Sequence, residues 1–184
     1  MLSEIDKAFR QARMPDRDAY LAQSRAVALA LYGCAERGRA ELASIDWSKR
    51  SPLIQGARVV SESLIATLCD RDFARGLADA RRARALADLP RGTPGAAVSN
   101  RFYDAVIALA QVFADEQDGF THPRLQSAAQ SAIPNLRAIG MAGLAVHAER
   151  AGTPDRDALR QQLTSVAPTL AELVFDLSRP AHSA

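Results

Sequence analysis

Two stretches that carry no charge constrain this chain more than any other feature. Residues Ala26 to Ala35 and Ala138 to Val146 are uncharged throughout, and both lie in segments whose apolar residues recur at helical spacing. A helix that is apolar all round has to be buried all round, which requires other helices to cover it. A two-helix coiled coil offers no such position. We therefore expect an all-α bundle of about seven to nine helices, with Ala26–Ala35 and Ala138–Val146 at its centre.

The rest of the sequence agrees with that architecture. Of the 184 residues, 48% are hydrophobic and 24% charged, while aromatics make up only 5%. Ala, Leu and Arg, the residues that favour helix most, dominate, and no convincing strand alternation appears. The length suits one domain spanning residues 1–184, large enough to bury its own core without staples.

Start and stop signals divide the chain. Ser3 is placed to cap a first short helix bearing Ile5, Phe9 and Ala12. A second helix begins at Pro15-Asp16-Arg17-Asp18 and runs to about Arg37, with Gly38 as its terminator. Ser51 and Pro52 open a third, in which Ile54, Ala57, Ser61, Leu64 and Leu68 form a bundle stripe. Another spans about Arg71 to Leu89. The run Pro90–Gly95 is the plainest loop, and we expect flexibility over 90–98 and fraying over 179–184. Ser99 or Asn100 caps the next helix, Pro123 opens a short one, and Pro134 starts or kinks the one after it. The stripe Leu159, Leu163, Val166, Leu170, Leu173, Leu177 crosses Pro168, so a kinked helix or two helices sharing a face should close the chain. The pentapeptide Pro-Asp-Arg-Asp-Ala occurs at 15–19 and again at 154–158. We read it as recurring helix-start chemistry rather than an internal duplication.

Chemistry-bearing constellations are scarce. Cys34 and Cys69 stand in apolar helical stretches, with no Cys-x-x-Cys or Cys/His spacing. His122, His147 and His182 form no ligand spacing for a metal. Asp115, Glu116 and Asp118 lack the pattern of a calcium loop and read as an exposed acidic turn. We expect no cofactor, no metal and no catalytic activity. The N-terminus is unlike a signal peptide, and no apolar run approaches the length of a membrane span, so we expect a soluble, cytoplasmic protein.

The most informative surface is the segment from Arg71 to Arg91. Arg71, Arg75 and Arg82 fall opposite the apolar face formed by Phe73, Leu77, Ala80 and Ala87, with Arg81 on the flank and Arg91 in the following loop. Arg84 falls on the apolar stripe, so either its stem snorkels or the helix changes course there. These arginines could contact nucleic-acid phosphates. Against that stand Asp70, Asp72, Asp79 and Asp88 in the same segment and a formal net charge of only +2 for the whole chain, which suits a solvated, salt-bridged face. Lysine occurs only at Lys7 and Lys49, as expected where a genome rich in G and C writes Arg for Lys. Trp47, the single tryptophan, either anchors its polar connector or marks a partner surface.

These features lead to three functional expectations. The first is a non-catalytic protein-interaction module of a bacterial-type cytoplasm: a regulatory, adaptor or small assembly subunit with a protein partner, or one that self-associates. The second is a nucleic-acid-associated subunit using Arg71, Arg75, Arg81, Arg82 and Arg91. The third is a helical sensor with a small-molecule pocket between helices.

Overall fold

Proline and glycine set most of the helix boundaries. In the computed structural model, which describes residues 16–87 and 96–178, nine α-helices and a single 3-10 turn follow one another, with no strand among the described residues. They are α1 (Arg17–Leu31), α2 (Ala35–Ala43), the turn Trp47–Lys49, α3 (Pro52–Leu68), α4 (Phe73–Leu86), α5 (Ala96–Ala114), α6 (Thr121–Ala129), α7 (Pro134–Ala151), α8 (Arg156–Val166) and α9 (Pro168–Ser178). Pro52 and Pro134 each occupy the first position of their helix, where the missing N–H costs nothing. The expected first helix with Ser3, the loop over Pro90–Gly95 and the tail from 179 lie outside the described residues.

The long second helix of the sequence reading is two helices. Gly33, not Gly38, ends the first: its φ is +70°, and Gly33 and Cys34 donate to the carbonyls of Ala30 and Leu29, the hydrogen-bond pair of a Schellman motif. Gly38 lies inside α2, buried where a Cβ would stand 3.2 Å from Ile65 Cδ1 and 3.5 Å from the Ala26 carbonyl. Ala26–Ala35 is consequently not buried on all sides. Ala26, Val27, Ala30 and Leu31 are core, but Tyr32 is 64% exposed. Helix α5 also begins earlier than expected, at Ala96, so Ser99 and Asn100 lie within it rather than capping it.

Three helices form the centre. Twelve of the 17 residues of α3 are buried, including the whole predicted stripe from Ile54 to Leu68. In α5 the core residues include Val106, Leu109, Val112 and Phe113, and in α7 every residue from Ala138 to Val146 except Met141 is buried, as its uncharged run requires. Helices α1, α4 and α5 pack on α3, while α5, α6, α8 and α9 pack on α7. One hydrophobic cluster runs from Ala19 to Leu177. Arg150 of α7 closes the end of α5: its guanidinium donates to the Val112 carbonyl at 2.5 Å and lies 5.7 Å above the Phe113 ring.

The chain closes with two helices. They meet at Ala167, whose φ of −147° and ψ of 72° break the helix just before Pro168. Leu163, Leu170 and Leu177 of the leucine stripe are buried, but Val166 is 46% exposed, so the break turns the stripe partly to solvent. The two Pro-Asp-Arg-Asp-Ala copies start α1 and α8 in the same register, each with its first Asp at the N-cap, yet Asp16 has φ 65° and Asp155 φ −87°. At α1 the start is clamped by Arg50, which donates to both Asp16 and Asp18.

Candidate interaction surface

The arginines of the α4 segment do not share one face. Arg71 precedes the helix in a left-handed turn, φ 60°, and pairs with Asp176 of α9 at 2.5 Å. Arg75 and Arg82 lie on one flank, both beside Asp79 at 3.5 and 3.7 Å. Arg81 points to the opposite flank and meets Glu116, just beyond α5, at 3.2 Å. Arg84, on the apolar stripe as predicted, is tucked against α5, where its Nε donates to Asp104 at 3.3 Å. Arg91 lies outside the described residues. A carboxylate therefore stands beside each of the four predicted phosphate contacts that the structure describes, and a phosphate would have to displace it.

Trp47 is an anchor and not an exposed partner contact. It is 5% exposed, and its indole N–H donates to the Leu42 carbonyl, which fixes the 3-10 turn to the end of α2. The neighbouring Asp46 carboxylate takes hydrogen bonds from Lys49 and Ser48, which hold its pKa down at about 2.

Clefts run along both flanks of α4. On the Arg75/Arg82 side two shallow ones, of about 240 and 330 Å³, share the wall made by Arg58 and Glu62, themselves paired at 2.8 Å. On the other side a wider open cleft of about 650 Å³ lies between α4, α5 and the start of α6. Arg81, Arg84 and Arg124 line it together with Asp104, Gln111, Asp118 and Ile107, so cations and anions alternate around it.

The lower edge of this wide cleft is rigidly built. Asp118 accepts hydrogen bonds from Gln111 Nε2 at 3.0 Å and from the Phe120 N–H at 2.8 Å, with the Thr121 hydroxyl 3.1 Å away. The Gln111 bond leads these interactions in holding the Asp118 carboxyl down at about 2. Gln111 itself is 3% exposed, so a buried amide positions a surface carboxylate. Arg124 then approaches Asp118 at 3.6 Å and lies 5.5 Å over the ring of Phe120. Phe120 is 68% exposed, the most exposed of the large apolar side chains described.

The sequence reading took Asp115–Asp118 for an exposed acidic turn and passed over Phe120 and Arg124. A signal was present: Asp118 and Thr121 stand three apart at the start of an apolar-periodic segment, the spacing of a helix-start hydrogen-bond pair. The contribution of Gln111 came from the preceding helix and left no local trace. Among the described residues, no group of three or more His, Cys, Asp or Glu could hold a metal ion, and no helix is long and apolar enough to cross a membrane.

Fold and surface together define an all-α helical bundle with a charged cleft between α4, α5 and α6. No family model, no curated protein and no solved structure matches the chain.

Proposed function

We propose that this chain is a non-catalytic protein-interaction module, an adaptor or small assembly subunit of a bacterial-type cytoplasm, which docks a protein partner on the cleft between α4, α5 and α6. The observation that carries this reading is the exposed Phe120 under Arg124, which lines a cleft holding both arginines and carboxylates. Aromatic and Arg side chains dominate the energetics of protein interfaces. A pattern of both signs selects a partner with complementary charges and sets its register. A phosphate backbone, by contrast, presents one sign only and gains most where cations stand without partners.

The reading is tested by affinity capture with the parent and with Phe120→Asp and Arg124→Glu variants, followed by binding of each captured protein as a pure component. A partner that binds the parent and loses at least tenfold in affinity for both variants supports it. A partner set bound equally by all three overturns it. Anisotropy with generic DNA and RNA at low salt is the second arm. Salt-steep binding that disappears on combining Arg75→Glu with Arg82→Glu would favour the nucleic-acid reading instead.

A further inference from the structure

His122 and His147 are separated by 25 positions in the sequence, yet the fold sets their imidazole rings 5.4 Å apart, tilted by 56°. His122 is the second residue of α6 and is exposed, and His147 lies in the last turns of α7, half-buried. The two histidines stand on adjacent, tightly packed helices. Helices α6 and α7 approach so closely that a Cβ on Gly140 would stand 2.3 Å from the Ala129 nitrogen.

That spacing has a chemical meaning. Two imidazoles bound to one tetrahedral ion, with metal–nitrogen bonds of about 2.0–2.1 Å, place their ring centres about 5 Å apart. Neutral imidazole is a preferred ligand of the later divalent transition metals, Cu²⁺, Ni²⁺ and Zn²⁺. We propose that His122 and His147 form a two-histidine site on the α6–α7 hairpin that takes a divalent transition-metal ion from solution, with water in the open positions. Because no third protein ligand stands with them among the described residues, the site is open and selects by ligand type: Cu²⁺ binds most tightly, and Mg²⁺ and Ca²⁺ not at all.

The test is calorimetric titration of the full chain with CuCl₂, NiCl₂ and ZnCl₂. Single His122→Ala, His147→Ala, His147→Gln and His182→Ala variants are titrated in parallel, with helicity of each checked by circular dichroism. The proposal expects one ion per chain at pH 7.5 and an affinity at least tenfold lower in the His122 variant and in whichever His147 variants remain folded. The His182 variant should match the parent. Less than a threefold change in either the His122 or the folded His147 variants overturns the proposal, as does loss of binding in His182→Ala. Should both His147 variants unfold, Cu²⁺ line-broadening of the imidazole resonances in the parent decides: His122 and His147 must broaden together before any other histidine.

Discussion

Two helical hairpins, α3–α4 and α6–α7, are both closed by glycine, but Gly76 in the first and Gly140 in the second meet different things. At α6–α7 an added Cβ on Gly140 would press on backbone: the Ala129 nitrogen at 2.3 Å, and the Ala128 carbonyl carbon and Leu125 oxygen at 2.7 Å. At α3–α4 an added Cβ on Gly76 would meet the Thr67 hydroxyl at 2.1 Å, with the Thr67 Cβ and the Ser63 carbonyl beyond 3 Å. The seams differ in polarity too. Ser63 donates across the α3–α4 seam to the Gly76 carbonyl at 2.7 Å, while the buried Thr67 hydroxyl has no partner. Each helical glycine forgoes about 1 kcal/mol of helix propensity against Ala. What offsets that cost is close backbone contact at Gly140 and contact with the Thr67 hydroxyl at Gly76.

The largest effect should follow Gly140→Ala. Neither helix can yield locally, so the hairpin must open, with a loss of about 2–3 kcal/mol after the propensity gain. Urea unfolding should show a lower midpoint at unchanged slope. A loss below about 0.5 kcal/mol would mean that the seam is pliant and the contrast wrong.

Gly76→Ala should cost less, about 1–2 kcal/mol, and the cost should depend on its neighbour. Adding Thr67→Ala removes the hydroxyl in the way together with an unsatisfied buried group, so the double variant should recover most of the loss. A double-mutant cycle measures this coupling, and simple additivity would show that the Thr67 hydroxyl is not the obstacle.

The turns joining each pair supply a third test. Between α3 and α4 Arg71 adopts φ 60°, whereas the α6–α7 turn contains no positive φ. Arg71→Gly should stabilise the chain by about 0.5–1 kcal/mol, since the left-handed conformation is costly for a side chain and free for glycine. Its ion pair with Asp176 is more than half exposed on both sides and contributes little. Thermal melts of the variant and the parent decide it, and a lower midpoint in the variant would mean that the ion pair outweighs the backbone.

The smallest effect concerns the start of α6. The Asp118 carboxyl is held at about 2 against an ordinary 3.8. A lowered folded-state value means the contribution is present above the ordinary value and fades as pH falls through about 2. Asp118→Asn should therefore lower neutral-pH stability slightly and flatten the acid limb of the stability curve between about pH 4 and pH 2, so that variant and parent converge as the pH approaches about 2. Equal slopes in that window would show that Gln111 and the Phe120 N–H bind the carboxylate too weakly to matter.

The fold class and the starts of α3 and α7 were legible because Pro52, Pro134 and the stripe from Ile54 to Leu68 are local signals. The end of α1 was misread because Gly33 and Gly38 look alike in sequence. Close packing against Ile65 of α3 and the Ala26 carbonyl of α1 suits a glycine at position 38 inside a helix, and that packing is not visible in the sequence. The same limit governs the surface. Helical spacing placed Arg75, Arg82 and Arg84 correctly around α4, but Asp104, Glu116 and Asp176 come from other helices and later turns. Phe120 was passed over because one aromatic residue in a loop carries no period.

Arg150 couples parts of the molecule that the chain order keeps apart. Its guanidinium adds a hydrogen bond to the end of a helix to which it does not belong, holding the Val112 carbonyl from α7. Fraying at the end of α5 therefore cannot proceed as it does at a free helix end, because it must first undock Arg150 from both that carbonyl and the Phe113 ring. The two helices should open in a single step, with the amides of the last turn of α5 exchanging with solvent only as fast as those in the middle of α7.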